Sequence, residues 1–139
     1  MTDLYDYAEE KGYDVHYMDI PACGSMCLPD GLICLDYAFP FGGKIERTHL
    51  AHEIGHEDRG AFYNRYSHFD LRARHERIAD KRAWEVAIPC ADLKKALEDG
   101  YTTLYELSEI FGLTEDYIRR AWEYYRDQEI WGNKGDWEK

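Results

Sequence analysis

No apolar run in these 139 residues approaches the ~20 that a membrane-spanning helix needs. The N-terminal segment also lacks the basic, apolar and small-residue succession of a secretory signal, so the expected compartment is the cytoplasm. Basic residues are scarce: 17 Lys and Arg stand against 28 Asp and Glu, a formal net charge of −11. That balance argues against direct nucleic-acid or anionic-membrane binding, both of which rest on Lys and Arg. Cysteine is sparse too. Cys23, Cys27, Cys34 and Cys90 are too few and too unevenly spaced for a disulfide framework, and no second close pair joins Cys23 and Cys27 to make a zinc knuckle. Reduced, inert thiols are expected. Internal repeats, low-complexity segments and linkers are missing as well.

What the chain does have is core-forming material. Its composition is 45% hydrophobic and 15% aromatic, with 12 Tyr and 4 Trp, which excludes wholesale disorder at this length. The expected fold class is α+β in a single domain, a small antiparallel or mixed sheet packed on a helical bundle. Residues 1–43 supply a short helix (3–11), a strand (13–18) and a hairpin turning at Pro29-Asp30-Gly31. Residues 44–90 form two helices, 45–58 and 71–88, the second stopped by Pro89. Residues 91–127 give shorter helices at 91–98, 103–111 and 115–127. Residues 128–139 read as a polar tail.

The chemistry concentrates at residues 52–56, His-Glu-Ile-Gly-His. On a helix, positions i and i+4 lie one turn apart on one face, so His52 and His56 aim their imidazoles at a common point. That suits two ligands of a tetrahedral Zn²⁺, with Glu53 placed as general base on a water. Gly55 costs the helix about 1 kcal/mol relative to Ala, which points to close packing beside the metal. Glu76 is the preferred third ligand, leaving an open fourth position for water. Asp80, at i+4 from Glu76, is positioned to accept the ring N–H of a ligating histidine. His68, Asp70 and His75 compete with Glu76, but His75 points about 100° away around the same helix. Arg59 and Phe62 stand where a metzincin needs Gly and His, which excludes that class. Tyr63, Tyr66 and His68 are candidate oxyanion stabilisers. The strand at 31–39 is the expected partner for an extended substrate.

THLAHEIGH, HERIAD and AWEVAIP together resemble the ImmA/IrrE family of small metallo-endopeptidases, over about residues 31–90. The resemblance implies His52, His56 and Glu76 as ligands of one zinc ion per chain, Glu53 as base, and Asp80 and Pro89 at the family's Asn/Asp and closing Pro positions. It also implies a substrate, a DNA-binding repressor of the kind that controls mobile elements or stress responses. Two alternatives remain at this stage. One is a metal-containing regulator that binds a repressor without cutting it. The other is a helix-turn-helix DNA-binding protein, because residues 104–122 fit that template with Leu107, Phe111, Leu113 and Ile118 as core and Gly112 at the turn. Glu115 and Asp116 at the front of the reading helix disfavour it.

Overall fold

A computed structural model describes residues 3–21, 23–64 and 66–128. The tail at 129–139 lies outside the described residues. The fold is α+β, with elements in the order α1 (Leu4–Glu10), β1 (Asp14–Met18), β2 (Ser25–Leu28), β3 (Leu32–Asp36), α2 (Lys44–Arg59), α3 (Phe69–Ala87), α4 (Cys90–Glu98), α5 (Leu104–Phe111) and α6 (Glu115–Asp127). Asp3 caps α1 by accepting from the backbone N–H groups of Tyr5 and Asp6. Among the described residues, no helix is long and apolar enough to cross a membrane.

The sheet is mixed, in the order β1-β3-β2. β2 and β3 form the expected hairpin, antiparallel, with Gly31 at positive φ in its turn. β1 runs parallel to β3, from Asp14 opposite Leu32 to Met18 opposite Asp36. β3 is therefore central and buried from Ile33 to Asp36. Its unbroken apolar run, Leu32 to Leu35, is the pattern of a strand covered on both faces. With both edges hydrogen-bonded it has none free for a substrate, which corrects the expectation for 31–39. The free edge on the α2 side belongs to β2.

α2 runs through the centre, with Leu50, Ala51 and Ile54 fully buried. Its contact with α3 is unusually close. A methyl group placed on Gly55 would stand 2.1 Å from the carbonyl oxygen of Ala79, so only glycine permits this approach. Asp58 ties the frame together. It accepts hydrogen bonds from Tyr7 (2.5 Å), Tyr13 and Arg82 (2.9 Å), joining α1, the residue before β1, α2 and α3. Asp58, two residues after the second histidine, is thus a structural hub.

The helix-turn-helix-like pair is integral to the same core, with Leu107, Phe111, Leu113 and Ile118 all buried. Its turn is fastened to α2: Arg47 Nε donates to the Gly112 carbonyl (3.2 Å), and the Thr114 N–H donates to Thr48 Oγ1 (3.1 Å). The N-terminal turn of α6, where a reading helix would meet bases, faces a cleft beside α2.

Candidate metal centre

α2 and α3 bring three side chains to one point. The Nε2 atoms of His52 and His56 lie 3.2 Å apart, and the Glu76 carboxylate bridges them, Oε2 at 3.1 Å from His52 and Oε1 at 3.2 Å from His56. Two ligands at 2.0–2.1 Å on a tetrahedral ion stand about 3.3 Å from each other. The three separations fit that spacing. Among the described residues this is the group of His, Cys, Asp and Glu side chains able to hold a metal ion.

The outer nitrogens decide which ring atoms face inward. His56 Nδ1 lies 2.6 Å from the carbonyl oxygen of Ala61, which can only accept, so Nδ1 carries a hydrogen and, in the neutral ring, Nε2 presents a lone pair. Local sequence makes this possible. Gly60 closes α2 at φ 59°, a left-handed conformation that folds Ala61 back over the His56 ring. His52 Nδ1 faces Asp80 Oδ1 at 3.1 Å in the same manner. Asp80 thus occupies the place expected of it, and the pair of fixed tautomers is the outer support that ligating histidines receive in metal sites.

Glu53 is buried beside the group, its carboxylate 4.0 Å from His52 Nε2. Burial raises its pKa, and the two histidines pull the other way. The result is a carboxylate more basic than one in water, which suits a general base. Cys27 lines the cleft with Glu53, and burial, with the nearby Glu53 carboxylate, pushes its thiol's pKa up, so it stays protonated. All four cysteines are free, and none belongs to the metal group.

The loop between α2 and α3 carries Tyr63 over the site. Its hydroxyl donates to Glu76 Oε1 at 2.5 Å, its ring meets His56 edge-on, and burial together with Glu76 pushes its pKa up to about 12. The other two candidate stabilisers sit elsewhere. Tyr66 is 80% exposed and outside the cleft lining, and His68 caps α3 by accepting from the Asp70 N–H. The cleft itself, about 510 Å³, runs from the metal group between β2 and the front of α6. Cys23, Ser25, Met26 and Cys27 line one side, and Thr114, Asp116, Tyr117 and Arg120 the other. His49 also borders it, its Nδ1 2.9 Å from Ser25 Oγ and its ring stacked on Phe39. The sequence reading did not find the α6 residues, whose approach depends on how the C-terminal pair docks.

No family model, curated protein or solved structure matches the chain.

Without metal, the cluster holds protons instead. Burial lowers the His52 pKa, but the bonds to Asp80 and Glu76 outweigh it and push the group up to about 10; His56 is raised against burial by Glu76 and the Ala61 carbonyl. Hydrogen bonds from both histidines hold Glu76 well below the usual carboxylate range. The raised histidine values stabilise the fold fully below the ordinary 6.5 and lose that contribution as pH rises through the folded values. The depressed Glu76 contributes above 4.5 and loses as pH falls below it. Chelator-treated protein is therefore expected to melt at progressively lower temperature as pH rises from 6 toward 10, with Glu76→Gln flattening the slope. Zinc affinity runs the other way, because imidazolium must shed its proton to ligate. Scanning melts of chelated and zinc-loaded samples check both signs. A chelated protein that gains stability over this range would contradict the pairing.

Proposed function

We propose that the chain is a zinc-dependent endopeptidase, similar in its site to the ImmA/IrrE family, acting on a DNA-binding repressor. The observation that carries this reading is the convergence of His52 Nε2, His56 Nε2 and the Glu76 carboxylate at 3.1–3.2 Å with Glu53 buried alongside. A donor set of two imidazoles and one carboxylate suits zinc and is that of a catalytic site with an open position. Bound there, zinc supplies Lewis acidity, polarising an oxygen ligand and lowering the pKa of water.

The chain's own residues do the rest. Glu53 accepts the proton of the attacking water and returns it to the leaving amine. Tyr63, neutral at physiological pH, turns its O–H from Glu76 to the developing oxyanion. The free edge of β2 pairs with the substrate as an added strand, and its residues line the cleft. The fastened, cleft-facing front of α6 supports a protease reading over a DNA reader. A surface at −11 favours encounter with a basic DNA-binding domain in a salt-sensitive way.

Co-expression with a repressor encoded nearby, followed by mass spectrometry of its fragments, tests this. One discrete cut that vanishes with Glu53→Gln is expected. Tight association with an uncut regulator, unchanged in that variant, would hand the function to non-hydrolytic binding.

A further inference from the structure

The metal group has a support that comes from neither of its two helices. Asp80 spends one oxygen on His52 and the other on α6, where Arg120 Nη2 donates to Oδ2 at 2.8 Å. The Arg120 guanidinium also lies over the ring of Trp84, 5.4 Å from its centroid. Trp84 stands one turn beyond Asp80 on α3, so the guanidinium is held at its edge by a carboxylate and on its face by an indole. The Asp80 side chain is only 13% exposed, and both oxygens are used. One turn earlier on α6, the buried Tyr117 hydroxyl has no hydrogen-bond partner among the described residues and does not compete for Asp80.

We propose that Arg120 is a positioning residue of the metal centre: it fixes Asp80, and Asp80 in turn sets the ring plane of His52. The inference rests on the reading of His52, His56 and Glu76 as ligands. Its physical content is rotational. An imidazole turning about its Cβ–Cγ bond moves Nε2 out of line with Glu76, and the bond from Nδ1 to Asp80 stops that turn. A carboxylate gripped at one oxygen still swivels, whereas one gripped at both does not. The α5–α6 pair thereby becomes a working part of the site, carrying the third layer of contacts from metal outward. A helix-docking ion pair alone would stabilise the fold and leave ligand geometry indifferent.

The two roles separate in the full-length chain. Arg120→Gln and Arg120→Lys are compared with the parent by chelator competition for zinc and by the visible spectrum of the cobalt(II)-substituted protein. Arg119→Gln serves as control, since Arg119 pairs with Asp116 and Glu123 and does not touch Asp80. Loss of an outer partner typically weakens metal binding 10–100-fold, and Arg120→Gln, one step further out, is expected to weaken zinc about tenfold. The cobalt bands should shift, and Arg120→Lys, which keeps charge but not the planar fork, should recover part of the loss. In an Asp80→Asn background, Arg120→Gln should add nothing further. Affinity within twofold of the parent in both Arg120 variants would overturn the proposal. So would a tenfold loss that persists in the Asp80→Asn background. If Arg120→Gln fails to fold, Arg120→Lys with its own cobalt spectrum decides. A parent chain that takes up no zinc would fell the metal reading itself, whereas a zinc-binding parent indifferent to Arg120 sinks only this inference.

Discussion

Glu53→Gln is expected to bind zinc at the parental stoichiometry and to cleave substrate 10²–10⁴-fold more slowly, the range that a general base contributes. The amide keeps the size and hydrogen-bonding reach of the carboxylate but has no basic oxygen for a proton. Glu53 is not one of the three converging side chains able to hold a metal, so its replacement leaves that donor set intact. The Cys27 thiol on the same cleft wall, kept protonated by burial, offers no substitute base. Single-turnover cleavage by zinc-loaded parent and variant measures the effect. A variant that cuts at the parental rate would remove Glu53 from the mechanism, and one that loses zinc would make it a ligand.

The second large effect lies in packing. Gly55→Ala puts a methyl group 2.1 Å from the Ala79 carbonyl oxygen and 3.2 Å from the Ala83 methyl, and the nearer obstacle is backbone. The helices must part. Overpacking of this kind costs about 1–3 kcal/mol or more, against which the better helix propensity of Ala returns about 1. A net loss of about 2 kcal/mol is a large share of a small domain's 5–15 kcal/mol. The expected signature is a melting temperature lower by about 5 °C or more. Zinc binding should weaken with it, because Glu76 rides on α3 only three residues before Ala79. A variant that melts at or above the parent would mean that the contact is looser than described.

How far the sequence carries this account depends on range. His52, Glu53 and His56 are legible because a helix fixes their relation within one turn, whatever the helix packs against. Glu76 and Asp80 are legible for the same reason relative to each other, and Gly55 announces the close neighbour that brings them to the histidines. The β2–β3 hairpin is marked by its own turn residues. What escapes is set by contacts between distant segments. The parallel pairing of β1 with β3, which makes β3 central and gives β2 the free edge, leaves no local trace beyond the unbroken run Leu32–Leu35. Arg120 reaches Asp80 across 40 residues, and nothing in either neighbourhood announces the other. Of the three candidate stabilisers, Tyr63 reaches Glu76 because the Gly60 turn steers the loop back over His56, a consequence of backbone conformation rather than residue type.

The central claim is that these side chains form a metal site, and elemental analysis of purified protein tests it most directly. The chain should carry close to one zinc per molecule. His56→Ala should carry almost none, because the variant loses one of three converging donors. Equal zinc in both samples, or none in the parent after zinc-supplemented refolding, would contradict the account.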